Sequence, residues 1–320
     1  MEWLVEFISM KTLSIIICTY NRNSLLLKCL QELIQQITEI GDPRVDVVVV
    51  DNNSSDGTDR VTGDLAHQYG WLNYVKEAKQ GLSHARNCGA TSAQGAYLCY
   101  LDDDGCPGPK YLKSVLRVID EHQPDVFGGP VYPFYTSKKP FWFQDALEKR
   151  CHADSSGFAD CLISGGNYII RADLLKQIGM FSPDYGMVGT TLSLGDDREL
   201  LERYKRSLPR EQQRIYYSLE CFIYHHVPAY KMSLTYFVKR AYQSGKMSVR
   251  IKKETMINAP TLVRVVTKGM LARLWVRFIS GRSDVHIFLR ILHRFAMLAG
   301  MSMQHLKNIA GDNKHTKSRA

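Results

Sequence analysis

Short runs of branched apolar residues recur along the first half of the chain, each closing on a polar cluster. Leu13 to Cys18 is such a run and breaks at Thr19-Tyr20-Asn21-Arg22. Val45 to Val50 ends in Asp51-Asn52-Asn53-Ser54-Ser55-Asp56-Gly57, and Ala96 to Leu101 ends in Asp102-Asp103-Asp104-Gly105. Trp71 to Val75 is a further run. Apolar runs this short, bounded by turn residues, read as buried strands. Between them, leucines at helical spacing predict a helix over Ser24 to Gln36, and further helices are expected over Ser83 to Ala93 and Pro109 to His122. A strand near Asp125 to Phe127 follows. Strands that alternate with helices predict an α/β domain with a mostly parallel central sheet. Ligands of such sheets bind beyond the carboxyl ends of the strands, where Asp51 and Asp102 to Asp104 fall.

The middle of the chain is less regular. Gly128 to Pro140, rich in Gly, Pro and aromatic residues, reads as a loop. Ile163-Ser164-Gly165-Gly166-Asn167 leads into a strand over Tyr168 to Arg171, and Leu194-Gly195-Asp196-Asp197 opens a helix over Arg198 to Arg206. Ile215 to Ile223 reads as one strand, with Tyr224-His225-His226-Val227-Pro228 after it. From Ser233 onward the pattern is helical and basic, with amphipathic stretches over Thr261 to Phe278 and Val285 to Leu306. The expected division is an α/β domain over residues 1–230 and a helical C-terminal extension over residues 231–320.

Charge sharpens that division. From Lys231 onward there are 18 Lys+Arg against 3 Asp+Glu; of the 41 basic and 32 acidic residues, that leaves 23 and 29 in the body. A basic tail beside a mildly acidic body points to an anionic partner for the tail. Arg264, Lys268, Arg273 and Arg277, then Arg290, His293 and Arg294, alternate with Trp275, Phe278, Phe288 and Phe295, a pattern that suits an anionic membrane interface. The bland counterpart is a helical cap with a solvated basic face. Nucleic acid is the weaker partner class, since no recognised binding module is present.

A composition of 45% hydrophobic and 23% charged residues is ordinary for a globular protein. No apolar run is long enough to cross a bilayer, and Met1 to Met10, with Glu2 and Glu6, lacks a signal peptide's basic region. A cytoplasmic protein, peripheral on the inner face of the membrane, is expected. The eight cysteines stand singly with no Cys-x-x-Cys pair, which suits buried thiols in a reducing compartment.

Among chemistry-bearing motifs, Asp102-Asp103-Asp104 is the sharpest. Adjacent carboxylates at a strand end repel one another and call for a positive partner; a divalent cation shared with a diphosphate supplies one, and a solvated acidic turn is the bland alternative. Asp51 suits a ribose hydroxyl or a base N–H, or else a turn; Tyr20 could stack on a base. Asp196-Asp197 are ordinary first-turn residues or include a base for an acceptor hydroxyl. His225 or His226 could approach a diphosphate or complete a metal shell. No Walker loop, Gly-x-Gly-x-x-Gly or Gly-x-Ser-x-Gly is present.

Four blocks in order carry a resemblance. Leu13 to Arg22, Val48 to Thr58, Gly81-Leu82-Ser83-His84-Ala85-Arg86-Asn87-Cys88-Gly89-Ala90, and Gly95 to Asp104 together resemble glycosyltransferase family 2, over roughly residues 11–245. The resemblance implies the GT-A fold, inversion at the anomeric carbon by single displacement, and Mg²⁺ or Mn²⁺. By position it implies that Thr19, Tyr20, Asn21 and Asp51 hold the nucleoside and that Arg86 contacts the nucleotide. Asp102 and Asp103 then lie near ribose and metal, and Asp104 ligates the metal. The family's Glu-Asp pair is here Asp196-Asp197, with Asp197 as the base. Gly165-Gly166-Asn167 resembles the acceptor-side loop, and His225, before Val227-Pro228, resembles a histidine near the diphosphate; His226 leaves that register open. The donor expected is a nucleotide-diphosphate sugar, UDP-linked, and the acceptor a saccharide or lipid-linked saccharide in cell-surface or extracellular polysaccharide synthesis. A sugar nucleotidyltransferase is the rival enzyme class, and an inactive membrane-docking scaffold the non-enzymatic one.

Overall fold

A computed structural model describes residues 11–252 and 285–317. Two compact units emerge: the chain up to Thr136 with Gln144–Val227, and Ser137–Phe143 with the described residues from Pro228 onward.

The first unit follows the predicted alternation. In chain order, β1 (Leu13–Thr19), α1 (Asn23–Ile40), β2 (Val45–Asp51), α2 (Thr58–Gln68), β3 (Leu72–Lys76), α3 (Leu82–Ser92), β4 (Tyr97–Asp102), β5 (Gly105–Pro107) and α4 (Tyr111–His122) come first. Then come β6 (Val126–Gly128), β7 (Val131–Phe134), β8 (Gly157–Phe158), β9 (Asn167–Arg171), α5 (Ala172–Gln177), α6 (Asp196–Ser207), β10 (Ile215–Tyr217) and β11 (Ile223–His226). An eight-stranded sheet runs in the order β3-β2-β1-β4-β9-β6-β10-β8, and a three-stranded sheet in the order β5-β11-β7. Strands β3, β2, β1 and β4 are mutually parallel, and β9 lies antiparallel between β4 and β6.

Because side chains alternate across a strand, β1 feeds two helical layers. Leu13, Ile15 and Ile17 pack with Leu26, Leu30 and Leu33 of α1 and Val115 of α4, whereas Ile16 packs with Ala85 of α3 and Leu200 and Leu201 of α6. Both faces are covered, so β1, β2 and β4 are largely apolar, as buried parallel strands are, with the hydrogen-bonded pair Ser14 and Asp46 as the buried polar exception.

Three expectations change. Helix α1 runs past Gln36 to Ile40, where Gly41, at φ 61°, donates its N–H to Ile37 O at 2.9 Å. The single strand expected over Ile215 to Ile223 is two strands in different sheets, separated by a turn in which Cys221 N–H bonds Ser218 O at 3.3 Å. The loop expected over Gly128 to Pro140 contains β7, which pairs in parallel with β11. Pro133 is tolerated there because β7 is an edge strand, where a missing N–H breaks no ladder. His225 and His226 therefore lie within a strand, not after one.

All eight cysteines are free; Cys29, Cys99, Cys161 and Cys221 are buried, and Cys151 is exposed, so the expected burial does not extend to every thiol.

In the second unit, Trp142 meets Phe237 of α7 (Leu234–Lys252) edge-on with ring centroids 6.1 Å apart. Phe237 in turn lies 5.6 Å from His293 of α8 (Val285–Lys317). No described helix is long and apolar enough to cross a membrane. The amphipathic stretch Thr261 to Phe278 lies outside the described residues.

Candidate active site

Register places the site. Thr19 pairs with Asp51 across β1 and β2, and Cys18 with Asp102 across β1 and β4, so the strands end level at their carboxyl edge. Beyond Asp102 the chain steps from the large sheet into the small one through Asp103 and Asp104. In the small sheet His225 of β11 pairs with Gly105 of β5, which sets the histidine beside that step.

The acidic triplet is not solvated. Asp103 and Asp104 are 4% and 6% exposed. Thr19 Oγ1 donates to Asp103 Oδ2 at 2.8 Å, and Arg22 Nη1 donates to Asp103 Oδ1 at 2.9 Å and Asp104 Oδ2 at 3.2 Å. Burial pushes the Asp103 carboxyl up to about 7, against the pull of Arg22. On the other side of Asp104, His225 Nε2 lies 3.2 Å from Oδ1, and His226 N–H donates to the Asp104 carbonyl at 2.9 Å. The His226 ring turns elsewhere, with Nε2 2.8 Å from Thr136 Oγ1.

Asp102, Asp104 and His225 each offer one ligand atom, all within 4.8 Å of one another. Two carboxylate oxygens suit a hard divalent cation such as Mg²⁺ or Mn²⁺, and the imidazole completes a three-ligand set with room for oxygen atoms of a substrate. The residues present fit the cation that the resemblance implies.

A second network lies behind this one. Arg86, 4% exposed, bonds Asp196 Oδ2 through Nη1, and its Nη2 donates to the Gly165 carbonyl at 3.0 Å and stands 3.6 Å from Asp102 Oδ1. Burial works against the guanidinium charge, but Asp196 and Asp102 outweigh it and hold Arg86 protonated. Gly165 N–H donates to Asp197 Oδ2 at 2.8 Å. Helix α6 starts at Asp196, so both acids sit in its first turn, where the helix dipole favours negative charge. His152 Nε2 reaches Ser164 Oγ at 3.2 Å, and burial, then Arg150, keeps the imidazole below its ordinary value.

The nucleoside candidates are organised apart from the carboxylate cluster, except for Thr19. Asp51 is fully buried; its Oδ2 accepts from Tyr74 OH at 2.9 Å and its Oδ1 from Ser54 N–H at 2.8 Å. Asn21, with φ 51°, accepts Ser55 N–H at 2.8 Å and so ties the loop after β1 to the loop after β2. Tyr20 is half-buried in the former loop.

Three site residues, Arg22, Tyr74 and His152, are not among those the sequence motifs single out. Arg22 does carry a signal, at the end of the Thr19-Tyr20-Asn21-Arg22 block between a strand end and a helix start. His152 and Tyr74 carry no local signal: Tyr74 reaches Asp51 through the pairing of β2 with β3, and His152 meets Ser164 between two loop segments.

Known proteins agree with this architecture. The chain is 26% identical over 190 residues to the glycosyltransferase GlyA of Streptococcus pneumoniae serotype 4, covering 55% of this chain and 26% of that protein. It is 23% identical over 241 residues to the glucosyl-dolichyl phosphate glucuronosyltransferase of Haloferax volcanii, covering 72% of this chain and 74% of that protein. The chain thus spans about a quarter of the first relative and about three quarters of the second. The mannosyltransferase PcManGT of Pyrobaculum calidifontis, solved with GDP-Man and Mn²⁺, shares the fold, with a TM-score of 0.63 at 18% identity over 93% of this chain and 88% of that one. The model of glycosyl transferase family 2 matches residues 14–183, and the chain belongs to that family.

Proposed function

We propose that the chain is an inverting glycosyltransferase. It moves a sugar from a UDP-sugar to a saccharide or lipid-linked acceptor in cell-surface or extracellular polysaccharide synthesis. One observation carries the reading: three ligand atoms of Asp102, Asp104 and His225 converge within 4.8 Å at the carboxyl edge of the sheet. These residues would hold a Mg²⁺ or Mn²⁺ ion, which when bound neutralises charge on a diphosphate leaving group. Mn²⁺ in the complex of the mannosyltransferase that shares this fold supports that choice.

Asp197 serves as the general base. It takes the proton of an acceptor hydroxyl as that oxygen bonds the anomeric carbon and the bond from that carbon to phosphate breaks, its electron pair leaving with the diphosphate. Gly165 N–H fixes the carboxylate for that task. Thr19, Tyr20, Asn21 and Asp51 hold the nucleoside, with each carboxylate oxygen of Asp51 keeping a second lone pair beyond its bond to Tyr74 or Ser54. Arg22 balances the charge of Asp103 and Asp104 before donor arrives.

A panel of UDP- and GDP-sugars with Mn²⁺, read by thermal shift and nucleoside diphosphate release, tests the reading. Release that accelerates with acceptor and stops with a chelator is expected. Pyrophosphate as the product would instead identify a nucleotidyltransferase. A folded chain with no affinity for any nucleoside diphosphate in manganese would sink the proposal.

The second unit supplies an anionic-membrane contact. On α8, Phe288, Phe295, Met303 and Leu306 are 58%, 49%, 44% and 61% exposed and share one face at helical spacing. Lys307 and Arg294 lie to either side of that face, so apolar residues can enter a lipid interface while cations meet its headgroups. The dolichyl phosphate in the name of the Haloferax relative fits a lipid-linked acceptor. Sedimentation with anionic but not zwitterionic vesicles, lost in a Phe288→Ser, Phe295→Ser, Leu306→Ser variant, is the expected result. Concentration-dependent dimerisation without vesicle binding would assign the face to a second copy instead.

A further inference from the structure

Arg86 is buried among the residues of the proposed chemistry. It projects from α3 into the interior, where Phe181 and Tyr100 rings lie 5.2 and 5.8 Å from its guanidinium carbon. Its polar partners are Asp196 Oδ2, the Gly165 carbonyl at 3.0 Å and, at 3.6 Å, Asp102 Oδ1. Each leads directly to the proposed chemistry. Asp196 immediately precedes Asp197 in the first turn of α6. Gly165 gives its carbonyl to Arg86 and its N–H to Asp197 Oδ2 at 2.8 Å. Asp102 belongs to the converging ligand set.

We propose that Arg86 is a positioning residue that locks the base Asp197 in register with the cation ligands, and that the peptide of Gly165 is the coupling element between them. This rests on the reading of Asp197 and Asp102 given above. The physical need is specific. Asp196 and Asp102 both face the Arg86 guanidinium, and without that charge between them the two carboxylates would repel. A planar guanidinium can bond a carboxylate and a carbonyl at once while its charge faces a second carboxylate; an ammonium is a point charge that cannot reproduce that fork. The absence of side chains is part of the device. A Cβ on Gly165 would stand 2.9 Å from Asp197 Cβ, and one on Gly166 would stand 2.7 Å from Asp102 Cγ. The two glycines therefore let both acids close on one short stretch of backbone, and Arg86 holds that stretch in place.

The experiment compares Arg86→Lys, Asp196→Asn and the double variant, using the full chain. Hydrogen exchange at the Gly165 amide is read first and needs no donor. Exchange faster by about 10-fold in either single variant is expected; unchanged protection in both would overturn the proposal. With donor and acceptor saturating, kcat should fall by about 100-fold in Arg86→Lys, the loss that a displacement of about 1 Å produces, while donor KM stays within about 3-fold. The double variant should lose no more than about 3-fold beyond the worse single, because both changes open one lock. Losses that multiply, or a donor KM that rises more than kcat falls, would overturn the positioning role and return Arg86 to nucleotide binding. If Arg86→Lys fails to fold, Asp196→Asn opens the same link from its other end and is judged by the same exchange and kinetic criteria. A wild-type chain that turned over no nucleotide sugar would sink the functional reading, yet the exchange result would still decide whether Arg86 holds Gly165.

Discussion

Gly166 and Asp102 are matched so closely that a methyl group will not fit between them: a Cβ on the glycine would stand 2.7 Å from the Asp102 Cγ and closer still to Oδ2. The Gly166 carbonyl also faces Asp102 N–H at 3.4 Å, so neither backbone can retreat without disturbing the end of β4. The short aspartate side chain has to rotate instead, which disturbs its place in the set with Asp104 and His225. Gly166→Ala is therefore expected to fold while binding Mn²⁺ about 10-fold or more weakly, the scale of loss when a ligand is misaligned. A manganese titration followed by paramagnetic resonance measures this directly, and wild-type affinity in the variant would remove Asp102 from the ligand set.

Asp197 receives N–H groups from both Gly165 and Arg198, each at 2.8 Å, which fixes its carboxylate in the first turn of α6. Asp197→Asn keeps the shape and removes the proton acceptor. Its kcat should fall by about 10²–10⁴-fold, the range of a general base, while nucleoside diphosphate affinity stays at the wild-type level. Isothermal titration with UDP beside steady-state kinetics separates the two quantities; an active Asp197→Asn variant would require another base.

Much of this site is legible in the sequence. The β1, β2 and β4 runs carry apolar residues on both faces, and the polar residues that end them arrive within one residue of the same level because parallel strands share a register, as Thr19, Asp51 and Asp102 do. What the sequence hides depends on tertiary pairing. The Ile215 to Ile223 stretch looks continuous because apolar residues, Leu219, Cys221 and Phe222, run on through the turn between β10 and β11; only the partners, β6 and β7, show that the chain changes sheets there. That change also delivers His225 to Gly105, a contact between residues far apart in sequence that no local pattern encodes. Arg86 carries a readable signal as a basic residue in a small-residue helix, but its place among Asp196, Gly165 and Asp102, all distant in sequence or on other elements, follows from tertiary packing.

The packing of α3 is equally exacting on its other turns. A Cβ on Gly89 would lie inside contact distance of Ile16 Cγ2 and 3.1 Å from Val50 Cγ2, both fully buried side chains. In an exposed helix, alanine in place of glycine would stabilise. Here the overpacking dominates, and Gly89→Ala is expected to cost about 1–3 kcal/mol. Urea denaturation should show a lower midpoint with an unchanged slope; a higher midpoint would mean that β1 and β2 yield more readily than their burial implies.

Asp46 provides a test of electrostatics away from the site. It is 3% exposed on β2, accepts from Ser14 Oγ at 2.6 Å, and burial raises its pKa, with the Ser14 hydrogen bond pulling the other way. Below the ordinary carboxylate value the group is protonated in both folded and unfolded chains and costs nothing. As pH rises, the unfolded chain ionises first, so the folded state loses stability until pH passes the raised folded value, beyond which the full penalty persists. Asp46→Asn keeps an acceptor oxygen for Ser14, whose own oxygen still accepts Gly95 N–H at 2.8 Å, and has no such titration. The melting temperature of the variant relative to wild type should therefore climb as pH is raised from about 4 and level off once wild-type Asp46 is ionised in both states. A difference that stays flat across that range, or falls, would show that water or Lys11 solvates this carboxylate well enough to cancel the effect of burial.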